Sequence, residues 1–235
     1  MINKVRKTHK WLMAFIGLQF LIWSLTGLYM VTMDIHFIHG ETLIQKRAAA
    51  PDLSKVDYSF NALLSDYPNA NAVRLGEYMG TPVYRFVDAD KGKLVIDAQS
   101  GERLPLVDEQ TAVQLAQRYF NGISTVNSVQ LISEGDPIPS ELAPRHIPVW
   151  RITFDGMASP TLYISQHSGE VVTKRHTFWR AFDWMWRFHI MDYDDGENVS
   201  NWFLLIIGML GTVAALSGAT LTYHRFTDAK KERAM

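Results

Sequence analysis

Eight histidines supply most of the side chains in this sequence whose type and placement suit metal or redox chemistry. Five of them, His9, His36, His39, His189 and His224, lie beside two long uncharged stretches. A neutral imidazole is a metal ligand and a proton carrier, and at a membrane boundary it also serves as an amphipathic interfacial ring that needs no ligand. The chain has no cysteine, which excludes disulfides, thiolate metal sites and thioether-linked cofactors. There is no Gly-rich phosphate loop, no HExxH and no nucleophile elbow. A net charge of -1 and the lack of a basic stripe argue against nucleic acid as a partner.

The elements that must position these imidazoles are the uncharged runs themselves. Trp11–Met33 and Trp202–Tyr223 contain no charged side chain. Each is long enough to cross a hydrocarbon layer of about 30 Å as a helix rising about 1.5 Å per residue. Lys4, Arg6, Lys7 and Lys10 precede the first run, and Arg225, Lys230, Lys231 and Arg233 follow the second. Basic residues close to a span stay on the cytoplasmic side, so both termini are expected inside and the middle of the chain outside. The first run exceeds a signal peptide's apolar core, and the Ala48-Ala49-Ala50 triplet lies too far downstream for cleavage, so an anchor is expected there.

Helical geometry sorts the histidines by face. At about 100° per residue His9 shares a side with Met13, Ile16, Phe20, Trp23, Ser24 and Gly27, an arrangement that suits either plain helix packing or a flat macrocycle. In Phe178–His189 the residues Phe178, Phe182, Met185, Trp186 and His189 fall opposite Arg180, Asp183 and Arg187. That segment reads as an amphipathic helix on the outer membrane surface, with its histidine on the apolar side, where metal ligation is one way to satisfy it. Arg180 and Arg187 are placed to meet a cofactor's carboxylates or lipid phosphate. In the second span Gly208, Gly211, Ala215, Gly218, Ala219 and Thr222 make a small-residue stripe for close helix packing, with His224 nearly opposite beside Ile206, Leu210 and Ser217. Asp192, Asp194, Asp195 and Glu197 form an acidic patch at the outer end of that span, suited to attracting ferric iron or to fixing topology as a solvated loop. His146, His167 and His176 read as surface or turn residues of the outside domain.

Between the runs the sequence repeats itself. Pro82-Val83-Tyr84-Arg85-Phe86 matches Pro148-Val149-Trp150-Arg151-Ile152, and Lys93–Glu102 matches Thr161–Glu170. The offset changes from 66 (82 to 148) to 68 (93 to 161), which a longer hairpin loop in the second copy explains. A short helix precedes each copy, opened by Ser59 before FNALLSDY and by Asp108 before EQTAVQLAQRYF. The spacing therefore predicts an α+β domain of two helix-plus-antiparallel-sheet repeats.

A helix followed by P-V-[YW]-x-[FI] and a D/S-x-x-S-G-E hairpin resembles a PepSY unit. The spans resemble those of the PepSY-associated transmembrane family in His9-Lys10-Trp11-Leu12, Gly17-Leu18, Trp23-Ser24-Leu25-Thr26-Gly27-Leu28, Phe188-His189, Asp192-Tyr193, Ser217-Gly218 and Tyr223-His224-Arg225. His39-Gly40-Glu41 is similar to the family's segment after the first span, which ranks His39 above His36. The resemblance implies haem b held by histidines between helices and electron transfer from an unidentified cytoplasmic donor across the bacterial inner membrane to ferric iron or a ferric siderophore in the periplasm. It further implies a haem near the cytoplasmic face on His9, with His224 as candidate second ligand, and one near the outer face on His189, with His39. Larger relatives carry four or more spans, so a homodimer with a four-helix membrane core is expected here.

The expected organisation is a cytoplasmic N-terminus (1-10), a first span (11-33), a linker (34-52), repeat 1 (53-105), repeat 2 (106-175), an interfacial helix with acidic loop (176-199), a second span (200-223) and a cytoplasmic C-terminus (224-235). Two other readings use the same features: a membrane-anchored PepSY module that binds peptides or restrains a protease through its sheet edges, and a structural subunit of another transporter or reductase.

Overall fold

The two uncharged runs form helices because nothing in them competes with backbone pairing. Their hydroxyls bond back to their own helix, as Ser24 Oγ does to Phe20 O (2.9 Å), Thr212 Oγ1 to Gly208 O (2.9 Å) and Thr220 Oγ1 to Leu216 O (2.9 Å). In the computed structural model, which describes residues 2–45 and 50–232, these helices are α1 (Ile2–Thr32) and the last helix (Trp202–Glu232). Ala48 and Ala49 of the alanine triplet and Arg233 of the closing basic cluster lie outside the described residues. Both helices are long and apolar enough to cross a membrane, and only 11% and 17% of their most apolar windows are buried, unlike the core helix of a soluble protein. That is consistent with a membrane protein.

The described chain falls into two units, a helical one (1–34 with 180–235) and an α+β one (35–179). The α+β unit begins with a short helix α2 (Ile35–Ile38) and then runs through two copies of one plan. In the first, Ser59 caps α3 (Phe60–Asp66) by accepting the Ala62 N–H, and an antiparallel sheet β1 (Ala70–Tyr78), β2 (Thr81–Asp88), β3 (Gly92–Asp97) follows. In the second, Asp108 caps α4 (Glu109–Tyr119) through the Thr111 N–H at 2.8 Å, ahead of the sheet β4 (Val126–Ile132), β5 (Val149–Phe154), β6 (Thr161–Ser165), β7 (Val171–Arg175).

The repeat in sequence is a repeat in register. Leu75, Tyr84 and Ile96 form one cross-strand row in the first sheet, and Leu131, Trp150 and Ile164 form its counterpart in the second. The hairpin joining β2 to β3 is Ala89–Lys91, while that joining β5 to β6 is Asp155–Pro160, which accounts for the change in offset. Each sheet buries alternate residues under its helix: Leu63 over Tyr84, Phe86, Leu94 and Ile96, and Ala112, Leu115 and Ala116 over Trp150, Ile152, Phe154, Leu162 and Ile164. Where the copies differ, the cause is local. Pro105 follows the first Ser-Gly turn closely, so the counterpart of a fourth strand there shrinks to a single bridge between Ile96 and Arg103. The second copy has Val171-Val172-Thr173 instead and builds β7. Both turns need glycine: Gly101 (φ +79°) and Gly169 (φ +68°) also lie under Tyr58 and Tyr78, whose rings stand 2.7 and 2.5 Å from where a Cβ would be.

Arg85 joins the copies. It is 6% exposed, donates from Nη2 to Glu77 O (3.0 Å) and from Nε to Ser168 O (3.1 Å), and lies 3.9 Å from the Glu170 carboxylate. His176, expected to be a surface or turn residue, is fully buried instead. Its Nε2 donates to Phe37 O (2.8 Å) and its Nδ1 accepts the Trp179 N–H (3.2 Å), which supplies the start of α5 (Thr177–Ile190) with a partner for one orphan amide. Replacing His176 with Phe keeps the ring and removes both bonds. The full-length protein is expected to lose about 1–3 kcal/mol of stability, read from tryptophan-monitored urea unfolding.

Candidate functional site

The helical unit pairs α1 with α6 (Trp202–Glu232) through Ile16, Ile207, Ala214 and Met191, all buried, with Leu12, Met13, Phe20, Trp23, Leu204 and Leu210 around them. The side of α1 expected to carry Met13, Ile16, Phe20 and Trp23 is the one that packs. It is filled by side chains of the same chain, with Phe20 against Gly211, rather than left as a slot for a flat ring. Ser24 departs from the expectation: it is exposed, and Thr26 is the buried hydroxyl.

His9 meets α6 at a defined point. Its Nδ1 lies 3.0 Å from Ala214 O and 3.0 Å from Ser217 Oγ, and Ser217 Oγ itself donates to Ala214 O at 2.8 Å. A carbonyl only accepts and the serine proton is already placed, so the neutral imidazole must carry its proton on Nδ1. Its Nε2 is then a bare lone pair, the form that binds a metal. Gly218 makes the approach feasible, since a Cβ there would stand 3.0 Å from His9 Cε1.

His189 repeats the arrangement on α1. Its Nδ1 lies 3.0 Å from Thr26 Oγ1, which is also 2.8 Å from Ile22 O, and which ring nitrogen carries the proton follows from the direction in which that hydroxyl points. The ring packs over Gly27, with Cε1 3.5 Å from the position of a Cβ, and Trp23 Nε1 donates to the His189 carbonyl at 2.7 Å. His9 and Thr26 are separated by about 26 Å along α1 at 1.5 Å per residue, close to the thickness of a hydrocarbon layer. The side of α5 expected to enter lipid is thus spent in part on α1, where Phe182 also meets Tyr29 with ring centroids 6.5 Å apart.

The remaining candidates are distributed differently. His224 is half-buried and lines a cavity of about 590 Å³ with Ile2, Arg6, Leu221, Arg225 and Asp228, six residues beyond Gly218 along α6. The expectation that α6 packs with one face and presents His224 on another is corrected. Ala214, Ser217, Gly218 and His224 share the more buried side, while Ala215, Ala219 and Thr222 are exposed. His36 and His39 belong to the α+β unit, where His36 Nδ1 pairs with Glu41 (3.1 Å) and His39 faces the Trp179 ring (5.4 Å), so His39 and His189 fall in different units. Arg187 is committed to the acidic loop, donating to Asp194 O (3.1 Å), while Arg180 is half-buried near the start of α5. The loop acids cap their own turn: Asp192 accepts the Asn198 N–H (2.9 Å) and Asp195 the Glu197 N–H (2.9 Å). Those of Asp194 and Glu197 add charge, but no group of three or more His, Asp or Glu gathers to hold a metal ion among the described residues.

Thr26, Gly27, Ser217 and Gly218 are the residues the two histidines meet, a pairing that counting faces within one helix did not give. A signal was present, since a hydroxyl residue followed by glycine occurs once in each span and both pairs receive a histidine. No protein-family model, curated protein or solved structure matches this chain.

Burial and the nearby cations Lys93 and Arg103 hold the His167 imidazole below its ordinary 6.5, and burial with Arg145 and Lys93 does the same for His146. The Asn198 N–H holds the Asp192 carboxyl below its usual 3.8. For each, the unfolded chain takes up a proton before the folded one, so stability is full above the unfolded value and declines as pH falls through it. Urea midpoints of the full-length protein are therefore expected to drop between about pH 7 and pH 5, and His167→Gln to flatten part of that slope. A midpoint that rises on acidification would contradict it.

Proposed function

We propose that this protein is a membrane b-type cytochrome of the PepSY-associated transmembrane kind, with cytoplasmic termini and the α+β unit in the periplasm, reducing ferric iron or a ferric siderophore there. The observation that supports the reading is the pair of imidazoles near opposite ends of α1, each held to a neighbouring helix through its Nδ1, His9 at Ala214 O and Ser217 Oγ and His189 at Thr26 Oγ1. Nitrogen donors of this kind suit haem iron, and bis-histidine ligation gives a low-spin centre that exchanges electrons without a change of ligands. Haem b, when bound, supplies one-electron transfer between the two faces of the bilayer.

The residues of the chain do the holding. His9 serves the cytoplasmic level, with His224 and the Arg6 and Arg225 guanidiniums lining the cavity beyond it toward the helix ends, suited to the carboxylates of a tetrapyrrole. His189 serves the outer level. The inner side of α1 is already filled by α6 and α5, so the cofactor takes its place outside that packed seam, and a second copy supplies the remaining wall and ligands in a four-helix core. The exposed apolar side chains Phe15, Leu18, Leu25 and Leu28 of α1 are available to that contact or to lipid. A cytoplasmic reductant delivers the electrons, and the acidic loop of residues 192–197 raises the local concentration of ferric cations.

Detergent-purified protein from haem-replete cells is expected to show a reduced-minus-oxidised b-type haem spectrum. His9→Ala and His189→Ala are each expected to remove about half of the haem, with monodispersity retained. A colourless wild type ends the proposal, and full haem in both variants ends the ligand assignment.

A further inference from the structure

The two histidine contacts share a chemistry that haem ligation alone does not require. The sequence Thr26-Gly27 lies in α1 and Ser217-Gly218 in α6, each preceded by a leucine, Leu25 and Leu216. Each pair receives an imidazole from a different element, His189 from α5 and His9 from α1, with the hydroxyl against Nδ1 at 3.0 Å and the glycine under the ring. Each hydroxyl also has its own proton placed on a carbonyl of its helix, Ile22 O for Thr26 and Ala214 O for Ser217. A hydroxyl so committed acts as an acceptor.

We propose that Thr26-Gly27 and Ser217-Gly218 are two copies of one positioning device that holds His189 and His9 as Nδ1–H tautomers and aims their Nε2 lone pairs at haem iron. This rests on the haem reading given above. A metal-bound imidazole whose remaining N–H has an acceptor is oriented and more basic, and loss of that acceptor weakens the metal 10–100-fold. The hydroxyls never touch the cofactor; they act through the imidazole. The glycines set how closely the ring can lie against the helix. At Gly218 an added Cβ would stand 3.0 Å from the ring and must push it, while at Gly27 the 3.5 Å distance is ordinary contact.

The two copies differ in one respect that makes the proposal testable. His9 has a second acceptor beside its Nδ1, Ala214 O at 3.0 Å, whereas the partner found for the His189 Nδ1 is Thr26 Oγ1. Thr26→Val, which preserves shape, is thus expected to lower haem affinity at the outer level about tenfold or more and to raise that haem's midpoint potential, because a less basic imidazole stabilises ferric iron less. Thr26→Ser should restore both. Ser217→Ala should change the inner haem less than threefold, because Ala214 O remains. Gly218→Ala should weaken the inner haem more than Gly27→Ala weakens the outer one.

The tautomers themselves are read without cofactor. ¹⁵N-imidazole NMR of haem-free full-length protein, with His9 and His189 assigned by their loss in His9→Gln and His189→Gln, is expected to show both rings protonated at Nδ1, and His189 to shift toward Nε2–H in Thr26→Val. A haem-loaded wild type with His189 protonated at Nε2 in the haem-free form overturns the proposal and leaves the haem reading standing. So does a folded Thr26→Val with unchanged affinity and potential. Should Thr26→Val fail to fold, the wild-type tautomers and the Ser217→Ala measurement decide alone. A wild type that takes up no haem ends both the haem reading and this role for the hydroxyls, even with both rings protonated at Nδ1.

Discussion

A polar ring placed among apolar helices must find a partner for its N–H, and in this protein that requirement fixes where α5, α1 and α6 meet. His9 finds Ala214 and Ser217, His189 finds Thr26, and each ring lies over a glycine, the approach being tight at Gly218 and ordinary at Gly27. Leaving either N–H unpaired in a medium without water costs several kcal/mol. The apolar seam of Ile16, Phe20, Ile207 and Ala214 is not specific enough to set helix register, since dispersion contacts change little over a small slide. A hydrogen bond of 3.0 Å over a glycine does set it.

The α+β unit solves a different problem by duplication. A single short helix over a three-stranded sheet buries too little to stand alone, so the two copies share Arg85, whose guanidinium from the first copy reaches the Ser168 carbonyl in the second. The Ser-Gly turn of the second copy is where they meet, because the Ser168 carbonyl accepts from Arg85 and Tyr78 of the first copy lies over Gly169, whereas Gly101 of the first turn lies under Tyr58 of its own copy. The same turn therefore serves the join in the second copy and its own half in the first.

The imidazoles gain their chemical character from these constraints. Each ring meets a hydroxyl through Nδ1 and lies over a glycine through Cε1, so Nδ1 is the nitrogen held against the neighbouring helix. The same economy runs through the outer loop, where Arg187 and Trp186 of α5 hold the backbone at Asp194 and Gly196 while Asp192 and Asp195 cap the turn. There the acids shape the loop first, and their charge is a consequence available to a cation.

The sequence by itself determined the two apolar helices, the caps at Ser59 and Asp108, and the duplicated sheet with its longer second hairpin, because each depends on local propensity, periodicity or a capping side chain a few residues away. It also singled out His9 and His189. Only the tertiary structure decided that His189 meets Thr26 and His9 meets Ser217, that His224 lies on the packed side of α6, and that His176 is a buried linchpin rather than a turn residue. Those outcomes depend on which helix lies against which and at what rotation, and periodicity within one helix fixes a face but not the neighbour that the face will meet.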